Sequence, residues 1–172
     1  RLVKNWEVSS AIPQPEHSRL ALNWFSNKIE EVTAALDDHF EKFRISDALM
    51  LVYTTVRDEF SGWLLEMVKP AYQQPIDAQT YEAVIALFDR LLRLLHPFMP
   101  FITEEIWQLL VARKPGESIM VSDQTAGQPF DPALLEAFEN VKEMVSGIRK
   151  IRLDHNIANK EPLSLCIQPG DK

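Results

Sequence analysis

Apolar side chains recur at intervals of three or four positions along most of the chain, which is the spacing of one face of an α-helix. The repeat is cleanest between Tyr81 and Leu95, where it continues through four turns. The first ten residues are interpreted as the end of a further helix. The pattern as a whole predicts helices over residues 16–38, 46–70, 78–95, 100–112 and 132–152.

Helix-start residues support three of these assignments. Ser46 is a favourable N-cap and is followed by Asp47, an acid suited to the first turn. Asp77 is predicted to cap the next helix. Asp131 followed by Pro132 places an N-cap before a proline at the first helical position, which is a strong start signal.

Strand patterns are confined to two short segments. The sequence SIMV (118–121) predicts a short strand, and PLSLCIQ (162–168) alternates apolar and polar residues as a strand does. The sheet partners of the second segment would lie beyond residue 172. We therefore expect an all-α helical bundle with a short strand segment near the C-terminus, in which short links favour antiparallel neighbours.

Two prolines interrupt the most apolar part of the chain, at Pro97 and Pro100. Proline presets φ and removes an N–H donor, so a corner made with two prolines can be buried with fewer unsatisfied polar groups. We expect the corner to be buried and to hold two helices at a fixed angle.

Length and charge narrow the classes of function. The 172 residues suit one domain, and the net charge of −7 argues against a protein that coats nucleic acid indiscriminately. The segment 141–160 is an exception, with five basic and two acidic residues. The single cysteine, Cys166, fits a reducing compartment. The sequence has no run of 18 apolar residues, so we expect no membrane helix. It has neither a signal peptide nor a starting methionine, so we expect a fragment of a longer protein.

A search for reactive groups gives little. None of the four histidines has a second ligand at metal-site spacing, and phosphate-loop and nucleophile motifs are absent. Glu104 and Glu105 are interpreted as first-turn acids, His96 as a partner of carbonyls at a helix C-terminus, and Trp24, Trp63 and Trp107 as packing residues. Trp6 has polar neighbours and takes no assignment. Arg149, Lys150 and Arg152 are equally compatible with a functional surface and with a solvated helix end.

The segment LLHPFMPFITEEIWQ (94–108) closely resembles a signature of one family, the anticodon-binding domains of class I aminoacyl-tRNA synthetases of the valine, isoleucine and leucine group. Its form is most similar to the valine members. RDEFSGWLLEMVKP (57–70) resembles the family's aromatic-rich helix, and IRKIRLDHNI (148–157) its last bundle helix. The second segment departs from the family pattern at three positions, namely Arg57 for tryptophan, Ser61 for cysteine and Leu64 for tyrosine.

The resemblance covers nearly the whole chain and implies a fold and a function. It implies a helical bundle of the class Ia anticodon-binding type over residues 1–156, with 157–172 beginning a strand-containing segment. It also implies tRNA as partner, through the anticodon stem-loop, with phosphates held by basic side chains. The candidate RNA-binding residues are Arg149, Lys150 and Arg152 on the last helix, and Arg44, Arg57 and Lys69 on the second.

The resemblance further implies that catalysis resides elsewhere. The parent enzyme would activate valine with ATP and Mg²⁺ in an upstream catalytic domain and transfer it to tRNA, while this fragment holds no cofactor and no catalytic residue. The other expectations are a monomer in the cytoplasm that contacts the remaining domains of the same synthetase.

Three alternatives stay open. The first is the equivalent domain of an isoleucine enzyme, and the second is a non-catalytic helical protein-interaction module. Such a module would leave a broad apolar stripe uncovered, whereas we expect these helices to use theirs in the bundle. The third is a small helical enzyme, which the missing reactive constellations disfavour.

Overall fold

Helices form most of the fold, as the periodicity predicts. A computed structural model describes residues 6–122, 127–158, 160–164 and 166. Its elements in chain order are β1 (Val8–Ser9), α1 (Glu16–Glu41), α2 (Ile45–Thr54), a π-helical stretch (Thr55–Leu64), α3 (Leu65–Val68), β2 (Ile76–Asp77), α4 (Ala78–Leu95), α5 (Pro100–Leu110), a 3-10 turn (Ile119–Val121) and α6 (Pro132–Asp154).

We call the continuous run of α2, the π-helical stretch and α3 (residues 45–68) the second helical segment. The core lies between α1, this segment and α4. An aromatic row crosses it: Phe25 meets Trp24 edge to face at 5.7 Å and Phe60 at 5.5 Å between ring centroids, and Phe60 stacks on Phe88 at 5.4 Å. Trp24 and Phe25 are fully buried. Rings of this size contribute much of the apolar area that a small bundle buries.

The second predicted helix is one helical run with a change of winding inside it. Residues Thr55–Leu64 are π-helical between α2 and α3, and Ser61 Oγ donates to the Val56 carbonyl at 2.9 Å, five residues back. The expected Ser46 cap is wrong. The N-cap position is Arg44 without a side-chain cap bond, and Ser46 lies inside the first turn. The start is set by the preceding turn, in which Arg44 N–H donates to the His39 carbonyl at 2.8 Å.

The interpretation of the first ten residues as the end of a helix is wrong for residues 8 and 9, which form a strand, and residues 1–5 lie outside the described residues. β1 pairs in parallel with β2, with Val8 opposite Ile76 and Ser9 opposite Asp77. Ile76 N–H donates to the Glu7 carbonyl at 2.8 Å. The two strands fasten the chain that precedes α1 to the chain that precedes α4.

Asp77 caps α4 as predicted. Its buried carboxylate accepts from Thr80 N–H at 2.8 Å, and Gln14 Nε2 donates to the Thr80 hydroxyl at 3.3 Å. The cap therefore satisfies a backbone donor that would be buried without a partner.

Substitution of Asp77 tests how much this cap contributes to stability. We expect Asp77→Ala to lower the free energy of unfolding by about 1–2 kcal/mol, because the Thr80 N–H loses its acceptor. Asp77→Asn retains an acceptor oxygen and should lose less than half as much. Urea denaturation of the two variants beside the wild type measures the difference, and equal stability of Asp77→Ala and wild type would contradict the role of the cap.

The proline corner is exposed, so the expectation that it is buried is wrong within the described chain. Pro97 and Pro100 are both exposed, and Pro100 is in the first turn of α5. The corner is nevertheless ordered by hydrogen bonds, because Phe98 and Met99 N–H both donate to the Leu95 carbonyl at 3.0 and 3.1 Å. The prolines thus fix a turn at the end of the bundle.

Several apolar side chains are exposed around this end, which contradicts the expectation that the helices use all of theirs in packing. Phe40 at the end of α1 stacks on Phe98 of the corner at 5.9 Å, so the α1–α2 turn and the corner are neighbours. Phe43 in that turn is 88% exposed and has a φ of 55°, and Phe101 is 90% exposed. The exposed apolar residues of this end are Phe43, Ile45, Met99, Phe101 and Ile102.

The two predicted strands are not found among the described residues. Residues 119–121 form a 3-10 turn in which Ser118 Oγ accepts from Met120 N–H at 3.2 Å. Pro162, Leu163, Ser164 and Cys166 are in no strand, and the rest of the 162–168 segment lies outside the described residues. The chain divides into two units, 1–132 and 133–172, and α6 makes up most of the second.

Candidate nucleic-acid interface

The C-terminal end of α6 is shaped by a turn that the sequence favours. Asn156 takes a φ of 52°, and Ile157 N–H donates to the Arg152 carbonyl at 2.8 Å. Asparagine tolerates this left-handed conformation better than most residues, and such a residue commonly closes a helix. The turn brings Ile157 back toward the last helical turns.

A groove of about 710 Å³ lies at this end of α6. Two predicted residues, Arg149 and Arg152, line it beside apolar neighbours. The remaining lining residues are Val145, Ile148, Leu153, Asn156 and Ile157. All of them lie within the unit 133–172. A groove that joins cationic and apolar walls can hold both the phosphates and the base faces of a single-stranded RNA.

The three basic residues on α6 have different surroundings. Arg152 donates to the Ala158 carbonyl at 2.7 Å and to the Glu161 carbonyl at 2.8 Å, so its guanidinium holds the chain that follows the helix. Lys150 is exposed and has neither an ion pair nor a side-chain hydrogen bond to the described residues. Arg149 is exposed and lines the groove. The structure therefore separates a bracing arginine from two exposed cations.

The three candidates on the second helical segment each have an acidic partner. Arg44 Nη2 lies 2.8 Å from an Asp38 carboxylate oxygen, and Arg57 Nε lies 3.3 Å from Asp58. Lys69 forms a short ion pair with Glu66. These are exposed pairs, and exposed pairs contribute little to stability.

These three candidates do not form one cluster. Arg44 lies before the first turn of α2 and Lys69 follows the last turn of α3, so a helix of roughly 35 Å separates them. Arg57 lies between the two ends. The second helical segment thus presents isolated cations, whereas α6 gathers its cations within one turn.

The Arg44 end carries little net positive charge. Asp38 accepts from Lys42 and from Arg44, and the hydrogen bond from Lys42, with the charges of both cations, holds the pKa of Asp38 below its ordinary value although burial opposes this. The carboxylate therefore stays ionised between the two cations. An incoming phosphate would have to displace it.

Glu104 has a structural role, but not the predicted one. The first turn of α5 begins at Pro100 and contains no acid, so the interpretation of Glu104 and Glu105 as first-turn acids is wrong. Its carboxylate accepts from Gln108 Nε2 at 2.7 Å, Ser118 Oγ at 2.7 Å and Ile119 N–H at 3.1 Å. The hydrogen bond from Gln108 is the largest influence that lowers the pKa of Glu104, followed by that from Ser118. The acid therefore anchors the 3-10 turn to α5.

His96 differs from its predicted role. Its Nδ1 lies 2.7 Å from the hydroxyl of Thr103, which in turn donates to the Met99 carbonyl at 2.8 Å. The imidazole thus braces the corner through a side chain of α5 and not through carbonyls of α4. Trp24 and Trp107 are buried as predicted, and Trp63 is half-buried.

Sequence reasoning missed the apolar wall of the groove. Val145 and Ile148 were part of the apolar repeat of the last helix, which predicts packing and says nothing of a groove. Leu153 is 78% exposed and lies next to Arg152 off that repeat. An exposed leucine beside two arginines at a helix end is the signal that could have indicated the groove.

The described residues show neither a metal site nor a membrane-spanning helix. Within ranges 6–122, 127–158, 160–164 and 166, the structure brings together no group of three His, Cys, Asp or Glu side chains that could hold a metal ion. In the same part of the chain, no helix has both the length and the apolar character needed to cross a membrane.

Comparison with known proteins agrees with the resemblance. Residues 23–167 match the family model described as the anticodon-binding domain of tRNA ligase. The chain is 57% identical over 167 residues to a valine–tRNA ligase of Parabacteroides distasonis, which covers 97% of this chain and 19% of that protein. It is 51% identical over 165 residues to the valine–tRNA ligase of Porphyromonas gingivalis, covering 96% and 19%.

A more distant relative is also a valine–tRNA ligase. The valine–tRNA ligase of Enterococcus faecalis is 32% identical over 157 residues, which cover 88% of this chain and 18% of that protein. The chain thus spans about a fifth of the length of the relatives it matches.

Proposed function

The chain belongs to the family of anticodon-binding domains of tRNA ligases, and from that membership we propose that it receives the anticodon stem-loop of a tRNA that accepts valine. The relatives described above are valine–tRNA ligases, which favours the valine form over the isoleucine alternative. The observation that carries the proposal at the level of residues is the groove on α6, where Arg149 and Arg152 lie beside apolar side chains.

Within this proposal the six candidate residues have different roles. Arg149 and Lys150 contact phosphates of the loop, since both are exposed and lie within one turn of α6. Arg152 positions the chain after the helix and so shapes the groove that Arg149 lines. Arg44, Arg57 and Lys69 are too far apart to share one phosphate, and they act as separate contacts that exchange a carboxylate for a phosphate.

The remaining proposals concern the longer protein. The chain covers 19% of its relatives, so valine activation with ATP and Mg²⁺ and transfer to tRNA are proposed for parts outside it. We also propose that residues 157–172 begin a strand-containing segment, and that the protein is a cytoplasmic monomer whose other domains contact this one. The single cysteine is consistent with a reducing compartment.

The binding of a valine-type anticodon stem-loop tests the proposal. We expect the double variant Arg149→Ala/Lys150→Ala to bind the loop about tenfold more weakly than the wild type, because two phosphate contacts are lost. The slope of log affinity against log salt concentration should also become shallower by about 1.4, at about 0.7 for each of the two contacts in a single strand. Fluorescence anisotropy of a labelled loop across a salt series measures both quantities.

Two controls distinguish binding at a specific site from nonspecific electrostatic attraction of the RNA. Lys114→Ala removes an exposed lysine that has no ion pair to the described residues, and we expect less than a twofold change. A loop with a substituted anticodon should bind the wild type more weakly than the valine loop does. Equal loss of affinity in Lys114→Ala and in the double variant would count against the α6 site.

A further inference from the structure

A groove of about 510 Å³ runs between α4 and the chain that leaves α5. One wall is a stripe of α4 at four-residue intervals, separate from the buried face of this helix. The members of the stripe are Tyr81, Ile85, Asp89 and Arg93. Leu110, Val111 and Arg113 form the other wall. Both walls belong to the unit 1–132, and the proposed function uses neither of them.

The wall after α5 is extended backbone. Val111 has a φ of −141° and a ψ of 147°, and its side chain is 46% exposed. The backbone N–H and C=O groups of Ala112 and Arg113 make no hydrogen bond to any described residue. An extended segment with unpaired backbone groups can pair with another extended chain, as a peptide does when it is added to the edge of a sheet. This wall therefore favours an extended peptide as ligand.

One end of the groove carries an excess of positive charge. Asp89 accepts from Arg93 Nε at 2.7 Å and from Arg113 Nη2 at 2.8 Å, so two guanidinium groups share one carboxylate. The Arg113 side chain is 19% exposed, and its Nε has no hydrogen-bond partner among the described residues. The ring of Trp107 lies 3.6 Å from this guanidinium and holds it in place. A fixed, partly desolvated cation attracts an acidic group more strongly than a fully solvated one does.

The opposite end of the groove carries a negative charge. Glu82 lines this end, is exposed, and has no ion pair to any described residue. It lies roughly three turns before Arg93 on α4, which is about 16 Å along the helix. An extended chain rises about 3.3 Å per residue, so about five residues of a peptide span this distance. Between the charged ends, the apolar side chains of Ile85, Leu110 and Val111 line the groove.

We propose that this groove docks an extended segment of the same longer polypeptide, from outside residues 1–172. The segment has an acidic residue at the Arg113 end, apolar residues in the middle and a basic residue at the Glu82 end. The chain covers 19% of its relatives, so most of the polypeptide is available as occupant. Covalent linkage gives such a segment a high effective concentration, which a separate protein lacks. The proposal rests on the longer protein of the proposed function but not on anticodon binding.

An amphipathic helix is the alternative occupant of an apolar groove. A helix satisfies its own backbone groups, so it would leave the backbone of Ala112 and Arg113 unpaired. It would also fill the groove with apolar side chains and give the charges at the two ends no necessary partner. The extended backbone wall and the opposite charges at the two ends both favour the extended segment.

Photo-cross-linking in the full-length protein identifies the occupant. A genetically encoded diazirine amino acid replaces Val111 in the groove, and the cross-linked peptide is determined by mass spectrometry. We expect one segment of the same polypeptide, with an acidic and a basic residue about five positions apart and apolar residues between them. The same amino acid at Leu20, which is 55% exposed on α1, is the matched control and should not capture this segment. If Val111 captures no segment beyond those that Leu20 captures, the proposal is overturned.

A charge exchange tests the orientation of the segment. The captured segment is made as a labelled peptide, and its binding to the 172-residue chain is measured by fluorescence anisotropy. We expect Glu82→Lys, and glutamate for the basic residue of the peptide, each to weaken binding about threefold, and the two changes together to restore it to within twofold. Ala86→Trp fills the groove and should weaken binding at least tenfold, whereas Leu20→Trp on α1 should change it less than twofold. Equal binding of the peptide to Ala86→Trp and to wild type would exclude the groove as its site.

The outcomes distinguish this proposal from the proposed function. If the stem-loop binds and the α6 variants weaken it, but no segment is captured at Val111, the docking proposal fails and the proposed function stands. If a segment is captured and the charge exchange restores its affinity while no stem-loop binds, anticodon binding by this chain fails and the docking groove stands. A cross-link between two copies of the protein identifies a dimer interface and overturns the assignment to the same polypeptide. A captured helical segment without the two charges overturns the extended mode of binding.

Discussion

Replacing Trp107 by alanine is expected to lower the free energy of unfolding by about 4 kcal/mol, the largest loss of any substitution considered for this fold. Trp107 is 3% exposed and packs with Leu92 and Ile119 in a buried cluster between α4, α5 and the 3-10 turn. Alanine removes the ring and leaves a cavity where the three elements meet. The loss should appear as a lower urea midpoint with little change in the m-value.

The polar surroundings of Trp107 add to this loss. The guanidinium of Arg113 lies 3.6 Å from the ring centroid, and that of Arg93 lies 5.8 Å from it. Asp89 accepts from Arg93 at 2.7 Å and from Arg113 at 2.8 Å, so one carboxylate holds both cations at the ring. Without the ring, Arg93 and Arg113 lose their cation–π contact while they stay partly desolvated, and this loss further destabilises the folded state.

Two further variants test whether the loss comes from the buried ring of Trp107. Trp107→Phe keeps an aromatic face and should lose about half as much stability as alanine does. Leu109→Ala on the same helix removes a side chain that is 79% exposed, and it should change stability by less than about 0.5 kcal/mol. A loss below about 1 kcal/mol for Trp107→Ala would show that the cluster does not hold α5 to the bundle.

Replacing Glu30 by glutamine is expected to lower the free energy of unfolding by about 2–3 kcal/mol at pH 7. One oxygen of this buried carboxylate accepts from Arg90 Nη1 at 2.5 Å, and the other accepts from Gln128 N–H at 2.8 Å. Glu30 thereby ties α1 to α4 and to the segment before α6. Glutamine has nearly the same shape but removes the charge that Arg90 requires.

The loss at Glu30 should depend on pH in a defined direction. Burial raises the pKa of Glu30, but the hydrogen bond from Arg90, the one from Gln128 N–H and the charge of Arg90 together hold it below 4.5. The pKa of Glu30 is lower in the folded protein than in the unfolded chain. Its carboxylate therefore contributes fully to the free energy of unfolding at a pH above the unfolded pKa, and this contribution is lost as the pH falls through the folded pKa. The difference between wild type and Glu30→Gln should therefore be constant near neutral pH and shrink below pH 4.5.

The neighbouring acid gives the control for Glu30. Glu31 pairs with Lys28 at 2.7 Å in a more exposed place, and Glu31→Gln should change stability by less than about 0.5 kcal/mol. Arg90→Met should be about as destabilising as Glu30→Gln, and the double variant should lose less than the sum of the two. If the stability difference between wild type and Glu30→Gln stayed constant down to about pH 3, the ionised carboxylate of Glu30 would not be the group that stabilises the fold.

Local signals in the sequence predicted the elements well, because the interactions that decide them lie within a few residues. The apolar repeat located five long helices, Asp77 was identified as the cap of α4, and the start of α6 at Pro132 was correct. Ser46 failed as a cap because the turn before it starts the helix at Ile45. The strand β1 was missed, since its partner lies 68 residues further along the chain.

The candidate site was only partly predictable, for the same reason. Charge counting along the chain identified Arg149 and Lys150, which do lie together on α6. It could not distinguish Arg152, whose guanidinium bonds two carbonyls beyond the helix end. It also grouped Arg44 with Lys69, although the length of the helix separates them.

The sequence by itself determined that this protein is a helical bundle and, through the HPFMPF corner and its flanking motifs, the family to which it belongs. Periodicity records which face of each helix is apolar, because side-chain direction follows from the helical repeat. It does not record what covers that face. Only the tertiary structure decided that the corner is exposed, that Glu30 joins residues 60 and 98 positions away, and that Ile85 and Val111 line one groove, since those outcomes depend on distant segments meeting in space.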